Sequence, residues 1–116
     1  MKREIKLLSI VIVTLLFYNC GENIKPQNEK NNILALDEIR KEPKVKEAII
    51  TDANVLYVSV EDDGTKRDGY ADYLCEILRE KNATTNWVKV IKVNSANDLN
   101  AENAYGVLLG ESHCEN

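Results

Sequence analysis

A short apolar run behind a basic start most constrains how this chain can fold. Met1 to Lys6 carries three basic residues, and Leu7 to Tyr18 is apolar except for Ser9 and Thr14. A helix that spans a bilayer needs about 20 apolar residues, and this run is shorter. A basic segment followed by a short apolar core is the pattern of a secretory signal. The pattern predicts that residues 1–19 direct export and lie outside the folded domain.

The end of the apolar run is similar to a known type of export signal. The sequence Leu16-Phe17-Tyr18-Asn19-Cys20-Gly21 resembles the end of a bacterial lipoprotein signal, in which the cysteine becomes the lipid-bearing first residue. The resemblance covers residues 1–20 and implies lipidation of Cys20. It also implies attachment to the membrane of the bacterial cell envelope, facing the periplasm or the exterior. An uncleaved N-terminal anchor and soluble secretion are the two alternatives.

The rest of the chain is acidic. Beyond residue 19 there are 12 basic and 18 acidic side chains, a formal charge of -6. Such a balance repels phosphate backbones, so we expect no binding to nucleic acid. Residues 20–32 are rich in Asn, Lys, Glu and Gln, and cannot bury enough apolar surface to offset the entropy lost on ordering. They are predicted to form a flexible tether after Cys20.

Residues 33–116 are predicted to form one α+β domain. The expected fold is a small three-stranded sheet that contains one βαβ unit and packs against one main helix and a shorter N-terminal helical region. That region covers 33–50, and its second segment, which starts at Pro43, carries Val45, Ala48 and Ile49. The other predicted elements are a strand over 55–60, the main helix over 68–81, a strand over 87–93 and a last strand over 105–109. The direction of the last strand and the form of 97–103 stay open.

Three cysteines remain to be assigned. If Cys20 carries the lipid, then Cys75 and Cys114 form a pair in an oxidising compartment, where a structural disulfide is the simplest outcome. The bridge would tie the main helix to the C-terminal tail. The alternative is that Cys75 is a buried free thiol that acts as a small hydrophobe.

The densest polar cluster is the segment from Glu61 to Gly69, hereafter the 61–69 loop. It joins the carboxyl end of a strand to the amino end of the main helix, a place that ligands favour in parallel α/β units. Arg67 or Lys66 would hold an anion there. Alternatively, Glu61 and the three aspartates of the loop, Asp62, Asp63 and Asp68, would bind a hard cation such as Ca²⁺. The third interpretation is a turn, with a positive φ at Gly64 and Asp68 as the helix N-cap. The candidate binding residues are Asp62, Asp63, Arg67 and Asp68.

The remaining chemistry is sparse. His113, Cys114, Cys75 and Glu111 would form a zinc set, but their spacing matches no zinc module, and a tail beside a disulfide is favoured. The single histidine gives no constellation for nucleophilic catalysis, so we expect no catalytic residues, no metal and no cofactor. Around Asp62-Asp63-Gly64 and Tyr73-Leu74-Cys75 the chain is similar to small exported proteins of unknown role, which implies no activity.

The sequence therefore predicts a membrane-tethered envelope lipoprotein that acts as a non-catalytic binding or interaction domain. Its partners would be the membrane, through the N-terminal lipid, and another envelope protein. The alternative is a small periplasmic enzyme or metal-binding protein that uses the 61–69 loop.

Overall fold

The computed structural model describes residues 25–95 and 105–115. The predicted signal segment, Cys20 and the undecided stretch 97–103 lie outside the described residues. A 3₁₀ turn at Pro26–Asn28 precedes the first helix. The helices are α1 (Lys30–Arg40) and α2 (Asp68–Glu80), and the strands are β1 (Glu47–Ile50), β2 (Val55–Val60), β3 (Trp87–Lys92) and β4 (Leu108–His113).

The four strands form one mixed sheet in the order β1-β2-β3-β4. Strands β2 and β3 are parallel and are joined by α2, which makes the βαβ unit. Strand β1 pairs antiparallel with β2, and β4 pairs antiparallel with β3. The fold is α+β, but the prediction of a three-stranded sheet is wrong because the described residues contain a fourth strand, β1.

Strand β1 lies where the sequence predicted helix. Its side chains alternate between exposed and buried, with Ala48 and Ile50 buried. A tight turn returns the chain to β2: Thr51 N donates to the Val55 carbonyl at 2.9 Å, and Asn54 adopts a φ of 64°. Asparagine tolerates this left-handed conformation better than most residues. The hairpin therefore sets a period of two that overrides the helical spacing of Val45, Ala48 and Ile49.

The last strand begins and ends later than predicted. The sequence placed it at 105–109, whereas β4 runs from Leu108 to His113. Gly110 lies inside the strand because β4 passes directly over the start of α2. A Cβ atom at Gly110 would lie 2.3 Å from the Arg67 carbonyl carbon and 2.4 Å from the Asp68 amide nitrogen. The glycine here allows a close backbone approach, a use of glycine within strands.

Both helices pack on one face of the sheet. Their buried positions recur at the spacing of one helical side, and they form a single core with the inward residues of β1, β2 and β3. Helix α2 ends where Asn82 takes a φ of 55° and Ala83 N donates to the Leu78 carbonyl, a left-handed cap. Among residues 25–95 and 105–115, no helix is both long and apolar enough to cross a membrane.

The folded domain starts earlier than residue 33. Helix α1 begins at Lys30, and Asn32, which the sequence assigned to the tether, is fully buried. Its amide nitrogen donates to the Pro26 carbonyl at 2.6 Å, and its amide oxygen accepts from Thr84 N at 2.9 Å. A buried amide is stable only when such partners are present. Asn32 therefore fixes the start of α1 to the loop before β3.

A disulfide joins α2 to the end of β4. The sulfur atoms of Cys75 and Cys114 are 2.03 Å apart, and the two residues are 39 positions apart in sequence. The predicted pairing of these cysteines is therefore confirmed. Closing a loop of this length removes denatured-chain entropy worth about 4 kcal/mol.

Replacing Gly110 tests the close approach of β4 to α2. We expect Gly110→Ala to lower the free energy of unfolding by about 1–3 kcal/mol, because the new methyl group meets backbone that cannot move aside. Gly69→Ala is the matched control: nothing lies within 4 Å of a Cβ there, and alanine favours the helix by about 0.5–1 kcal/mol. Urea denaturation measures both. Equal effects of the two substitutions would contradict this account of Gly110.

Candidate functional site

The first two aspartates of the 61–69 loop hold the loop in its own turn. Asp62 Oδ1 accepts from Gly64 N at 2.9 Å, and Asp63 Oδ1 accepts from Thr65 N at 3.0 Å. Gly64 has the positive φ that the sequence predicted, at 85°. The Thr65 hydrogen bonds, helped by the charge of Arg67, hold the pKa of Asp63 below its ordinary value. These two side chains act first as turn formers.

Asp68 fastens α2 to β4 and does not cap the helix. It is the first residue of α2, and no side-chain cap bond is present there. Its Oδ1 accepts from Glu111 N, on the outer edge of β4, at 2.9 Å. The prediction of Asp68 as the N-cap is therefore wrong. The reason is tertiary, because the arrival of β4 offers this carboxylate a backbone donor outside its own helix.

Arg67 is the buried charge of the loop. The residue is 8% exposed, and its Nη2 donates to the Glu61 carbonyl at 3.0 Å and lies 3.3 Å from Asp63 Oδ2. Its Nε is shielded from solvent and has no acceptor among the described residues. A buried donor without a partner costs about 1–3 kcal/mol, and more when the group is charged. The structure therefore holds a guanidinium whose hydrogen-bonding capacity the protein only partly uses.

Arg67 lines a cavity of about 200 Å³ at the carboxyl end of β2. We call this the Arg67 cavity. It is smaller than the roughly 300–1,000 Å³ of sites for drug-sized ligands, and it suits a small group. Three basic and two acidic residues contribute to its wall, and Val60 provides an apolar part. The lining residues are Lys44, Lys46, Val60, Glu61, Asp63 and Arg67.

Tyr70 adds a second unused donor beside Lys44. Lys44 Nζ lies 5.6 Å from the centre of the Tyr70 ring, within reach of a cation–π interaction. The Tyr70 hydroxyl is shielded from solvent, and no hydrogen-bond partner for it lies in the part of the chain that the structure describes. Burial raises the pKa of this hydroxyl; Glu42 adds to the rise and Arg67 opposes it. Tyr70 thus remains a neutral donor at physiological pH.

The three basic side chains around the Arg67 cavity, which outnumber its two carboxylates, are suited to an oxyanion. Ammonium and guanidinium groups donate hydrogen bonds and accept none, so a carboxylate or a phosphate complements them. Metal binding has less support from the geometry. Among the described residues, no three His, Cys, Asp or Glu side chains come together as metal ligands. Cys75 and Cys114 are bonded to each other, and His113 stacks on Trp87.

Sequence reasoning found part of this site. Of the four candidate binding residues, Asp63 and Arg67 line the cavity, whereas Asp62 and Asp68 do not. Lys44 and Lys46 were missed. They face the loop because β1 runs antiparallel to β2, with Glu47 opposite Ser59, which brings the start of β1 to the end of β2. Only recognition of β1 as a strand would have placed them there.

The face of the sheet that the helices leave uncovered carries a second cluster, which is aromatic. Lys89 Nζ lies 4.5 Å from the centre of the Trp87 ring, and the rings of Tyr57 and Tyr105 meet edge to face at 4.6 Å. Trp87 also stacks on His113 at 4.5 Å. These side chains contact one another in pairs, so their packing is accounted for within the cluster.

Substitution of Asp68 tests whether its carboxylate is structural. We expect Asp68→Ala to lower the free energy of unfolding by about 1 kcal/mol, because Glu111 N loses its acceptor. Asp68→Asn keeps an oxygen at the Oδ1 position and is expected to retain most of the stability. Chemical denaturation compares the two variants. A loss in Asp68→Asn as large as in Asp68→Ala would contradict the hydrogen bond to β4.

No protein-family model, curated protein or solved structure matches this chain. The chemistry of the Arg67 cavity is therefore the ground on which a function can be assigned.

Proposed function

We propose that this chain is a lipid-tethered envelope protein whose folded domain binds a small oxyanion, a carboxylate or a phosphate group, without catalysis. The binding site is the Arg67 cavity. One observation carries the proposal: Arg67 is buried with an unused Nε donor in a cavity that Lys44 and Lys46 also line. Burial of a guanidinium is costly, and a bound anion would offset that cost.

The charge of the chain gives the cavity selectivity. The mature chain carries 12 basic and 18 acidic side chains, so its surface as a whole repels anions. The Arg67 cavity reverses that sign locally, with three cations against Glu61 and Asp63. A local positive site on a negative surface favours ligands small enough to enter the cavity over large polyanions. We therefore expect a small molecule or a single anionic side chain of a partner as ligand.

The proposed location in the cell envelope rests on the N-terminal sequence. Residues 1–19 serve as the signal, Cys20 carries the lipid, and the chain from Gly21 to the first turn of the domain forms the tether. The Cys75–Cys114 disulfide supports this address, because such bonds persist in oxidising compartments. The rival proposal of a metal site in the 61–69 loop has less support, since Asp62 and Asp63 already accept hydrogen bonds within their turn.

Replacement of Cys20 tests the tether. We expect wild-type protein to incorporate labelled fatty acid and to fractionate with membranes, and Cys20→Ser to lose both properties, because the thiol is the site of acylation. Cys75→Ser and Cys114→Ser together form the control, which should keep the label. Labelling that survives Cys20→Ser would refute lipidation at this residue.

Inorganic phosphate and acetate test the Arg67 cavity. At constant ionic strength, a ligand that binds only the folded state raises the melting temperature by mass action. We expect Lys44→Gln to weaken this effect by about tenfold in affinity, which corresponds to roughly 1.4 kcal/mol for one charged contact. The two anions, used in separate arms, distinguish a phosphate site from a carboxylate site.

Lys66→Gln is the matched control for that experiment. It removes the same charge from an exposed neighbour of Arg67 that does not line the cavity. We expect its affinity for the anions to stay within about twofold of wild type, because exposed charges are largely screened. If Lys44→Gln and Lys66→Gln weaken binding equally, or if neither anion shifts the melting temperature of the wild type, the proposed site is wrong.

A further inference from the structure

The two edges of the sheet are closed to different degrees. Along β4, the Leu109 carbonyl accepts from Arg67 N at 3.0 Å, and Glu111 N donates to Asp68 at 2.9 Å. The start of α2 thus takes up outward backbone groups of this strand. An edge strand with unpaired backbone groups is a template for another strand. Within residues 25–95 and 105–115, the start of α2 closes the edge at β4, and no strand pairs with the edge at β1.

The outward backbone groups of β1 belong to Ala48 and Ile50. Thr51 N bonds to the Val55 carbonyl of β2, and inward and outward pairs alternate along an antiparallel ladder. Ile49 therefore bonds toward β2, while Ala48 and Ile50 direct their N–H and C=O groups away from the sheet. The Ala48 carbonyl accepts from Arg40 Nη2 at 2.9 Å, which agrees with this assignment.

A groove of about 410 Å³ runs along this edge. Ile49, in the wall of the groove, is 40% exposed on the helix-free face of the sheet. Arg40 reaches the groove from the last turn of α1. The residues that line the groove are Arg40, Val45, Lys46, Glu47, Ala48 and Ile49.

We propose that the edge of β1 pairs with β1 of a second copy of this chain, antiparallel, about a two-fold axis at Ile49. In this register Ala48 lies opposite Ile50 of the second copy, so that both residues use their outward N–H and C=O groups. At each end Lys46, which precedes β1, then approaches Asp52, in the turn after β1, and the two form a pair of opposite charge. Asp52 exchanges its exposed ion pair with Lys25, at 3.6 Å, for this contact. This self-complementarity of sequence favours a second copy over an unrelated strand.

The apolar contacts select the same register. Ile49 meets the same residue of the second copy, and two exposed apolar side chains are buried against each other. A two-fold axis at Ala48 would instead set Ile49 opposite Glu47, an apolar side chain against a charge. Pairing at the axis through Ile49 joins the two sheets into one continuous sheet of eight strands, a symmetric arrangement in which one surface is used twice.

Arg40 sets the balance between the free and the paired edge. Its guanidinium donates a hydrogen bond to the Ala48 carbonyl, which is one of the acceptors that the second copy needs. Pairing therefore requires this side chain to move aside. Arg40→Met keeps the aliphatic packing and removes the donor, and it is expected to raise the paired fraction about threefold or more.

Cysteine cross-linking of the full-length chain in its native membrane tests the proposal. Ile49→Cys places two cysteines in a pair that makes no backbone hydrogen bonds, with Cα atoms about 4.5 Å apart, which suits a disulfide. Glu47→Cys is the matched control on the same strand and face. Its two copies lie four residues out of register, about 13 Å apart, too far to bond. Mild oxidation and a non-reducing gel are expected to give a dimer for Ile49→Cys only.

Charge exchange tests the register. Asp52→Lys sets two lysines opposite each other, and in the Ile49→Cys background we expect at least a threefold loss of cross-linked dimer. Adding Lys46→Asp should restore it, because the pair is then reversed. Equal cross-linking of Ile49→Cys and Glu47→Cys, a product with the mass of a different protein, or no rescue by the reversed pair would each overturn the proposal.

Discussion

The contact between the start of α2 and the edge of β4 is the constraint on which the rest of the fold depends. Arg67 N and the Asp68 carboxylate hold the backbone of β4 on either side of Gly110. This contact closes one edge of the sheet. It also fixes the last residues before α2, so the Arg67 side chain is held at the carboxyl end of β2. The same two hydrogen bonds thus hold β4 against α2 and position the candidate site.

The disulfide secures the same pair of elements further along. Cys75 lies in the middle of α2, and Cys114 lies just past β4, so α2 is tied to this strand at two places. The backbone contact brings β4 so near to α2 that only a glycine fits at position 110. The disulfide limits how far β4 can move away from α2. A stability of about 4 kcal/mol from the bridge is a large part of the roughly 5–15 kcal/mol typical of a domain.

Elements whose apolar residues fit only one spacing, that of a strand or that of a helix, were predictable from sequence. Strand β2 was placed at its observed bounds, and the apolar spacing of α2 admitted no other structure. Strand β1 was not predictable in this way. Val45, Ala48 and Ile49 fit a helix, Ala48 and Ile50 fit a strand, and only pairing with β2 decides between the two patterns.

The candidate site shows the same division. Arg67 could be found because it follows a strong strand and precedes a strong helix. Lys44 and Lys46 lie in a segment whose structure depends on pairing with β2, so their approach to Arg67 could not be predicted from the sequence. Tyr70 was not among the predicted site residues, because its hydroxyl became relevant only when the described structure left it without a partner.

The two edges of the sheet illustrate how one chain can keep one boundary fixed and another adjustable. The edge at β4 is held by a backbone hydrogen bond from Arg67, by the Asp68 carboxylate, and by a glycine that lets the two backbones meet. At the edge of β1, the exposed side chain of Arg40 donates one hydrogen bond to the Ala48 carbonyl, and water competes for this bond. A net contribution of about 1 kcal/mol for such a bond is small enough for another strand to displace it. The proposed self-association is therefore confined to β1.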